Sequence, residues 1–480
     1  MGIKKLNDLL NKKCPGAFIV VPCSYFRGKR IAIDSDNVLM KLRSRAQKEV
    51  VDKTDVCMRE PDPAEITKKW INHTKYFTME LLRIGATPVF IFDGKHISAK
   101  SKTQQKRRKD KQKLIDDAEE MKRKILELDE LERTPGMVTE LRKKMHHLIF
   151  VTSDDKVMMM GILSAIGIPV IRATGEGEQL CAMLCNEGKV DAVWSRDTDL
   201  LALGCPMTIN DSAGYAYNPQ TQQNEEAYKC SIFRPILSAL DITFDTWRDL
   251  CLMSGTDFND NIPHVGVTKS YDILKQCQSI DNLPAKYHVR ATCVKHAGCK
   301  EITEEYEDQV DCLNHIEGRE IFGQYPSETL AQDPIILDID FNYENCRDQL
   351  EILGAEDWLI DVVPLFSSLP KPSTECIPKP PHLTRNAPKL SITKKPTIMI
   401  VNPNNPTGTN LVNPNAMIPI IPIVPTIPKP SPDHLTNRRI QELNNYQMQS
   451  FQNKFPQKGN EPKPILLHIK AAKTIGDKNN

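Results

Sequence analysis

No apolar stretch of signal-peptide type opens this chain, and no later run in its 480 residues approaches the length of apolar sequence that spans a bilayer. Contact with a membrane is therefore not expected. An intracellular protein is, nuclear if the source is a eukaryote and otherwise in the cytoplasm or a viral replication compartment. Net charge is nearly lacking as well: 63 Lys and Arg stand against 62 Asp and Glu, so the total of +1 points to no partner. A disulfide framework is also missing, because the 14 Cys are scattered through helix- and strand-like segments, as reduced core thiols are. Gly2 is present for N-myristoylation, but Leu6 stands where Ser or Thr is needed, so lipidation is set aside.

What the chain does have is a set of acids at the ends of apolar runs: Asp34, Asp93, Glu176, Glu178, Asp197, Asp199 and Asp257. Like charges gathered in this way are tolerable only when cations neutralise them, which suits divalent metal ions and phosphate chemistry. Basic residues are also unevenly placed, crowding residues 100–113.

The coarse pattern is α/β. Residues 31–33 and 88–92 read as buried parallel strands that deliver Asp34 and Asp93 at their carboxyl ends, where open α/β sheets place ligands. Helical spacing over 65–84 lies between them. A further unit follows, with a helix over 157–166, a Gly167 stop and a strand over 168–171. Gly175-Glu176-Gly177-Glu178 then opens a helix, for which dipole electrostatics alone would explain Glu178. A strand over 191–195 enters Asp197-Thr198-Asp199, a pattern that by itself describes an ordinary solvated turn. Both gain weight only as members of a series of acids at equivalent strand ends.

Residues 95–150 interrupt this alternation. Leu114, Ala118, Met121, Ile125 and Leu128 keep helical steps, Pro135-Gly136 supplies a turn, and Leu141, Met145 and Leu148 resume the step. The result is an inserted helical hairpin whose first part is dense with cations. A lone basic run of this kind is first a solvated helix face or a nuclear-import signal; beside an acidic site, phosphate-backbone binding explains it better. Around residues 250–274, two helices joined by a loop with Gly266 resemble helix-hairpin-helix binders of duplex backbones, with Lys269 in the first turn of the second helix.

In this order the residues resemble the structure-specific 5′ nucleases of the flap endonuclease, exonuclease 1 and XPG group, closest in layout to the flap endonucleases. The resemblance runs over residues 1–275, from Met1-Gly2-Ile3-Lys4-Lys5-Leu6 through Ile31-Ala32-Ile33-Asp34 and Phe92-Asp93-Gly94-Lys95. It continues in Glu176-Gly177-Glu178-Gln179, in Asp197-Thr198-Asp199-Leu200 and in Ser254-Gly255-Thr256-Asp257-Phe258. It implies a PIN-like nuclease core with a mixed, mostly parallel sheet flanked by helices. By the same resemblance the core spans 1–94 and 151–249, with a helical arch over 95–150, a duplex-binding element over 250–282 and a C-terminal part of the core over 283–366.

The resemblance also implies two Mg2+ ions, about 3.5–4 Å apart and replaceable by Mn2+. Asp34, Asp93, Glu176 and Glu178 would serve one; Asp197, Asp199 and Asp257 the other. Lys100 and Arg107 fall where the family's gateway carries a lysine and an arginine that contact the scissile phosphate. Gly2, Gly266 and Lys269 are the further expected contacts to a branched or 5′-ended DNA, and a monomer is expected. Some positions depart from the family. Met40 stands where many relatives have a base-stacking tyrosine, Gly177 and Gln179 replace small apolar residues, and His264 and Val267 alter the loop, so a potassium ion is not expected there.

Past about residue 283 the resemblance fades. Cys293, His296, Cys299, Cys312 and His315 have spacing reminiscent of a zinc site, but ordinary thiols and a surface histidine are the expectation. Composition changes sharply near residue 367: of the 34 prolines, 20 follow Val363, which predicts a disordered, Pro-rich tail. Tails of relatives dock to a sliding clamp, but no clear clamp-binding motif is present and that partner is not inferred. Two other functions compete. Asp34-Ser35-Asp36-Asn37-Val38 is similar to the opening motif of haloacid-dehalogenase-type phosphatases, whose first Asp is a nucleophile. A catalytically silent junction binder is the second.

Overall fold

The computed structural model describes residues 2–94, 100–129, 132–218, 221–287, 289–295, 302–308, 310–323 and 335–370. The Pro-rich segment from residue 371 onward lies outside them, as do His296 and Cys299 of the zinc pattern.

The chain opens with helix α1 (Leu6–Lys13) and strand β1 (Phe18–Pro22). Strand β2 (Arg30–Asp34) runs straight into α2 (Ser35–Lys53), and α3 (Pro63–Arg83) leads back to β3 (Thr87–Phe92). The basic segment forms α4 (Ser101–Glu127), followed by α5 (Pro135–His146). Pro135 and Gly136 do not make the turn of this hairpin, as the sequence suggested. Pro135 occupies the first position of α5, where its missing N–H costs nothing, and the Thr134 side chain accepts from the Met137 N–H as the N-cap.

Next come α6 (Ser153–Ala165), β4 (Val170–Arg172), α7 (Gly177–Asn186), β5 (Ala192–Trp194) and the short α8 (Asp199–Ala202). A long hairpin of β6 (Met207–Asn218) and β7 (Gln223–Ile232) precedes α9 (Arg234–Leu240), α10 (Phe244–Ser254) and α11 (Val267–Cys277). A separate pair, β8 (Val289–Lys295) and β9 (Ile302–Asp308), is followed by α12 (His315–Ile321), α13 (Tyr343–Ile352), α14 (Asp357–Asp361) and α15 (Val363–Phe366).

The main sheet has the order β1-β7-β6-β5-β2-β3-β4. Its β6-β5-β2-β3-β4 part is parallel; at one edge β7 pairs antiparallel with β6 and β1 antiparallel with β7, so β7 alone runs against the rest. This is the mixed, mostly parallel sheet expected from the sequence. The chain first builds outward from β2 to β3 and β4, then returns to the other side of β2 with β5 and β6. That reversal makes the β2/β5 boundary a topological switch point, the place where such sheets leave a crevice beyond their carboxyl ends.

Alternation along the strands assigns the two faces. Ile31, Ile33, Phe90, Phe92, Ala192 and Trp194 point into a core shared with α2, α3, α6 and the C-terminal helices. Ala32, Val89, Ile91 and Val193 point into a second core against α7. A third core joins α1, α10 and α11. The arch stem is fastened separately: Leu141 and Met145 of α5 and Ile125 of α4 pack on Val51 and Val56, and Gln47 of α2 donates to the Met145 carbonyl at 3.1 Å.

Trp358 is fully buried against the first core, so the segment after residue 335 packs onto the sheet layer. Lys75 of α3, with only 4% of its side chain exposed, holds that segment through ion pairs to Asp357 and to Asp361, the latter at 2.6 Å. Phe90 lies in the middle of the sheet and meets Phe77 edge to face at 6.4 Å. Phe90→Ala should lower unfolding free energy by about 3–5 kcal/mol in urea titrations, the usual cost of emptying a rigid aromatic site. A loss under about 1 kcal/mol would show that this layer is not a packed core.

Candidate functional site

Four of the seven acids are delivered by strands and helices that meet at the switch point. Asp34 is the last residue of β2 and the N-cap of α2; its Oδ1 accepts from the Asn37 N–H at 3.4 Å and its Oδ2 from the Ser195 hydroxyl at 2.7 Å. Asp93 follows β3 directly. Its Oδ1 accepts from the Gly177 N–H at 2.7 Å, fastening the start of α7 to the end of β3. Glycine suits position 177 because a Cβ there would lie 3.0 Å from that same oxygen. Glu176 is the N-cap residue of α7 and Glu178 sits in its first turn.

The helix dipole alone does not account for Glu178. Its carboxylate is buried and turned toward the loop after β5, and one oxygen each of Glu178, Asp197 and Asp199 lie within 4.8 Å of one another. That loop is shaped by its own side chains: the Asp197 N–H donates to Ser195 Oγ at 3.0 Å and the Asp199 N–H to Asp197 Oδ1 at 3.1 Å. Asp257, just beyond α10, is near enough to act electrostatically on Asp197 and Asp199.

Two cations of α4 reach these acids. Lys100 Nζ donates to Glu176 Oε2 at 2.5 Å and to Glu178 Oε1 at 3.2 Å, and lies 4.8 Å from the Phe258 ring centre. Two turns further on, Arg107 Nη2 meets Asp257 Oδ2 at 2.5 Å, while Thr103, one turn on, donates to the Asp257 carbonyl at 2.8 Å. The first part of the basic hairpin is thus docked on the acid cleft.

Burial dominates the electrostatics. Desolvation, with repulsion from Asp93 and Asp197 and against the Ser195 hydrogen bond, pushes the Asp34 carboxyl up to about 7. Desolvation and the neighbouring Asp36 push Asp93 up to about 6. Glu178 and Asp199 are driven well above the usual carboxylate range, first by burial and then by Asp199 and Asp197 respectively; Asp197 is raised mainly by burial. Burial alone would lower the Lys100 ammonium, but Glu178 and Glu176 outweigh it and hold it above its ordinary value.

The donor set fits a hard divalent cation. All the candidate ligands offer carboxylate oxygen, and two of those oxygens, Glu176 Oε1 and Asp199 Oδ1, are buried without a hydrogen-bond partner. Glu178 groups with Asp197 and Asp199, while Asp34 joins that loop through Ser195.

Gly2 lies against the same loop with φ +85°, and a Cβ would come within 2.2 Å of Asp197 Oδ1 and 2.4 Å of Thr198 Oγ1. The neighbouring Ile3 N–H donates to Thr198 Oγ1 at 2.8 Å. Gly266 is the N-cap of α11 with open space before it, and Lys269 is exposed, donating to the His264 carbonyl at 3.1 Å. His315 of the zinc pattern bonds Asp281 at 3.1 Å, and Cys312 is half-buried. Sequence reasoning missed Ser195, Thr198 and Asp36. Asp36 accepts from the Asp93 N–H at 3.0 Å and pairs with Lys156 of α6. A hydroxyl immediately after a buried strand was the only available signal for Ser195.

Two family descriptions match the chain: the XPG N-terminal domain over residues 1–114 and the XPG I-region over 167–257. A probable RAD2-like endonuclease of Invertebrate iridescent virus 6 is 25% identical over 361 residues, covering 68% of this chain and 80% of the viral protein. Flap endonuclease 1 of Glycine max is 28% identical over 284 residues, covering 59% of this chain and 68% of the plant protein. Among solved structures, flap endonuclease-1 from Methanococcus jannaschii is similar over 73% of this chain and 96% of its own, with 21% identity and a TM-score of 0.43.

The raised carboxyls predict how stability depends on pH. A carboxyl whose folded pKa lies above its unfolded value is harmless while protonated and destabilises the fold as it ionises. For Asp34 that loss falls between its ordinary 3.8 and about 7 as pH rises. A divalent cation favours the ionised forms. Adding Mg2+ to chelator-treated protein should therefore raise the melting temperature more at pH 8 than at pH 5; an equal rise at both would contradict these assignments.

Proposed function

We propose that this chain, which matches both the XPG N-terminal domain and the XPG I-region, is an XPG-family, metal-dependent, structure-specific 5′ nuclease. It hydrolyses DNA phosphodiester bonds at 5′ flaps and junctions or from a 5′ end, acting as a monomer. The observation that carries this reading is the buried acid cluster with basic residues of α4 docked on it, which combines cation-binding and phosphate-binding chemistry in one cleft.

Asp34, Asp93, Glu176, Glu178, Asp197, Asp199 and Asp257 are the residues that would hold Mg2+, and Ser195 and Gly177 orient two of them. When bound, two Mg2+ ions supply Lewis-acid polarisation of the phosphodiester and a more acidic attacking water, and Mn2+ can take their place. Lys100 would face the scissile phosphate as a point charge, and Arg107 as a planar fork. Both offset the negative charge that develops in an in-line displacement. The arch formed by α4 and α5 admits a single-stranded 5′ end, and the α10–α11 segment with Gly266 and Lys269 grips duplex backbone without reading bases.

A phosphatase using Asp34 as nucleophile fits less well. Both Asp34 oxygens are already engaged, by the N-terminus of α2 and by Ser195, and that reaction has no use for the other six acids.

Labelled 5′-flap, nicked and single-stranded DNA should be cut only with divalent metal, the flap at its junction. Asp199→Ala should abolish this cutting and spare binding, since it removes a metal ligand and also a charge that repels phosphate; parent-like turnover would remove Asp199 from the site. Arg107→Ala should lower the single-turnover rate far more than DNA affinity. A loss confined to affinity would make Arg107 part of a general basic surface.

A further inference from the structure

A second pair of cations borders the acid cleft and is used by nothing described so far. Arg196 directly precedes Asp197, and its guanidinium ion-pairs with Asp211 of β6 while its Nε donates to the Asn210 carbonyl at 3.1 Å. Lys41 of α2 reaches the same carboxylate, with Nζ 3.0 Å from Asp211 Oδ1. Two cations therefore share one anion, leaving a local excess of one positive charge. Both remain about half exposed, at 50% and 46% of their side-chain surface. A cavity of about 210 Å3 opens beside Arg196, bounded also by Asp197, Thr198, Asn210, Asp211 and Ser231, and so reaches the acid cluster at Asp197.

We propose that Arg196 and Lys41 bind a backbone phosphate of the DNA strand adjacent to the phosphate that is cut. The proposal rests on the nuclease reading above and names a contact within it. A cleft lined with carboxylates repels a polyanion, so the strand needs cations on either side of the reacting bond. Lys100 and Arg107 supply them from α4, and Arg196 and Lys41 supply them from the sheet and α2. Lys41 lies six residues beyond the start of α2, which at 1.5 Å per residue sets it about 9 Å along the helix axis from the end capped by Asp34.

The supports are rigid. Arg196 stands on the loop that closes β5, Asp211 within β6, and Lys41 in the middle of α2. Nε and Nη2 of Arg196 are engaged, which fixes the plane of the guanidinium and leaves its remaining N–H groups to face an anion. Asp211 is then a positioning residue that keeps both cations together. Desolvation acts to raise its carboxyl, but Lys41 and Arg196 outweigh this and hold it below its ordinary value, so it stays charged as the hub of the pair.

The test is the salt dependence of DNA binding. Affinity for a labelled 5′-flap DNA is measured against KCl concentration in the full chain carrying Asp199→Ala, so that binding is read without cutting. Each phosphate contact contributes about 0.7–0.9 to the slope of log affinity against log salt, depending on whether the strand is single or duplex. Lys41→Ala and Arg196→Ala should each lower the slope by an amount of that order. Lys48→Ala, which removes an exposed charge two turns further along the same helix, should leave it unchanged.

Melting curves and Mg2+ half-saturation of cleavage, measured without Asp199→Ala, separate this role from a fastening one. Slopes equal to the parent's, or a lowered melting temperature with an unchanged slope, would reduce the triad to a tie between α2 and β6 and overturn the proposal. A drop in slope for Lys48→Ala as large as for Lys41→Ala would overturn it too, by showing a diffuse field instead of a subsite. A parent chain that neither binds nor cuts DNA would instead remove the nuclease reading itself.

Discussion

The burial of several carboxylates in one cleft is the constraint around which the rest of this molecule is arranged. Moving a single ionised carboxylate out of water is unfavourable, and placing others within a few ångströms makes it more so. Asp34, Glu176, Glu178 and Asp199 are nevertheless all buried. Part of this cost is offset by groups that favour the acids' positions: Ser195 for Asp34, the Gly177 amide for Asp93, the Asp199 amide for Asp197. Lys100 supplies a charge of opposite sign between Glu176 and Glu178. What remains uncompensated, the bare Oε1 of Glu176 and Oδ1 of Asp199, is suited to a metal cation.

The same constraint explains why the arch is part of the site. Its helix α4 has only Ala118 and Ile125 buried, so packing alone gives it little reason to lie where it does. Its outer part is anchored on α2 through Ile125, Leu141 and Met145; its inner end is drawn to the acids through Lys100 and Arg107. The attraction that orders this end is therefore exerted by the same carboxylates that form the candidate cation site.

Much of this was legible in the sequence, for identifiable reasons. An apolar run that ends abruptly in an acid, as at Ile31-Ala32-Ile33-Asp34, is readable because a buried strand admits no carboxylate until its end. The helices of the arch were readable from their spacing. The turn between them was not, because Pro135-Gly136 serves equally well to begin a helix, and Thr134 decides the matter. The hairpin β6–β7 and the edge strand β1 were missed because their burial is mixed and their pairing is with each other across the chain. Ser195 and Asp36 carried no distinct signal: a hydroxyl after a strand and an acid at a helix start are both common, and only three-dimensional proximity to Asp34 and Asp93 gives them meaning. The anchoring of Lys75 by Asp357 and Asp361, some 280 residues away, is of the same kind.

Calorimetric titration of Mg2+ into the metal-free chain at pH 7, repeated in two buffers of different ionisation enthalpy, tests most directly whether buried acids form a cation site. Carboxyls held up to about 6 and about 7 are partly protonated at that pH and must ionise to take a cation. The account predicts saturable binding with net release of protons, reduced in Asp199→Ala. Binding without proton release, or no saturable binding, would contradict it.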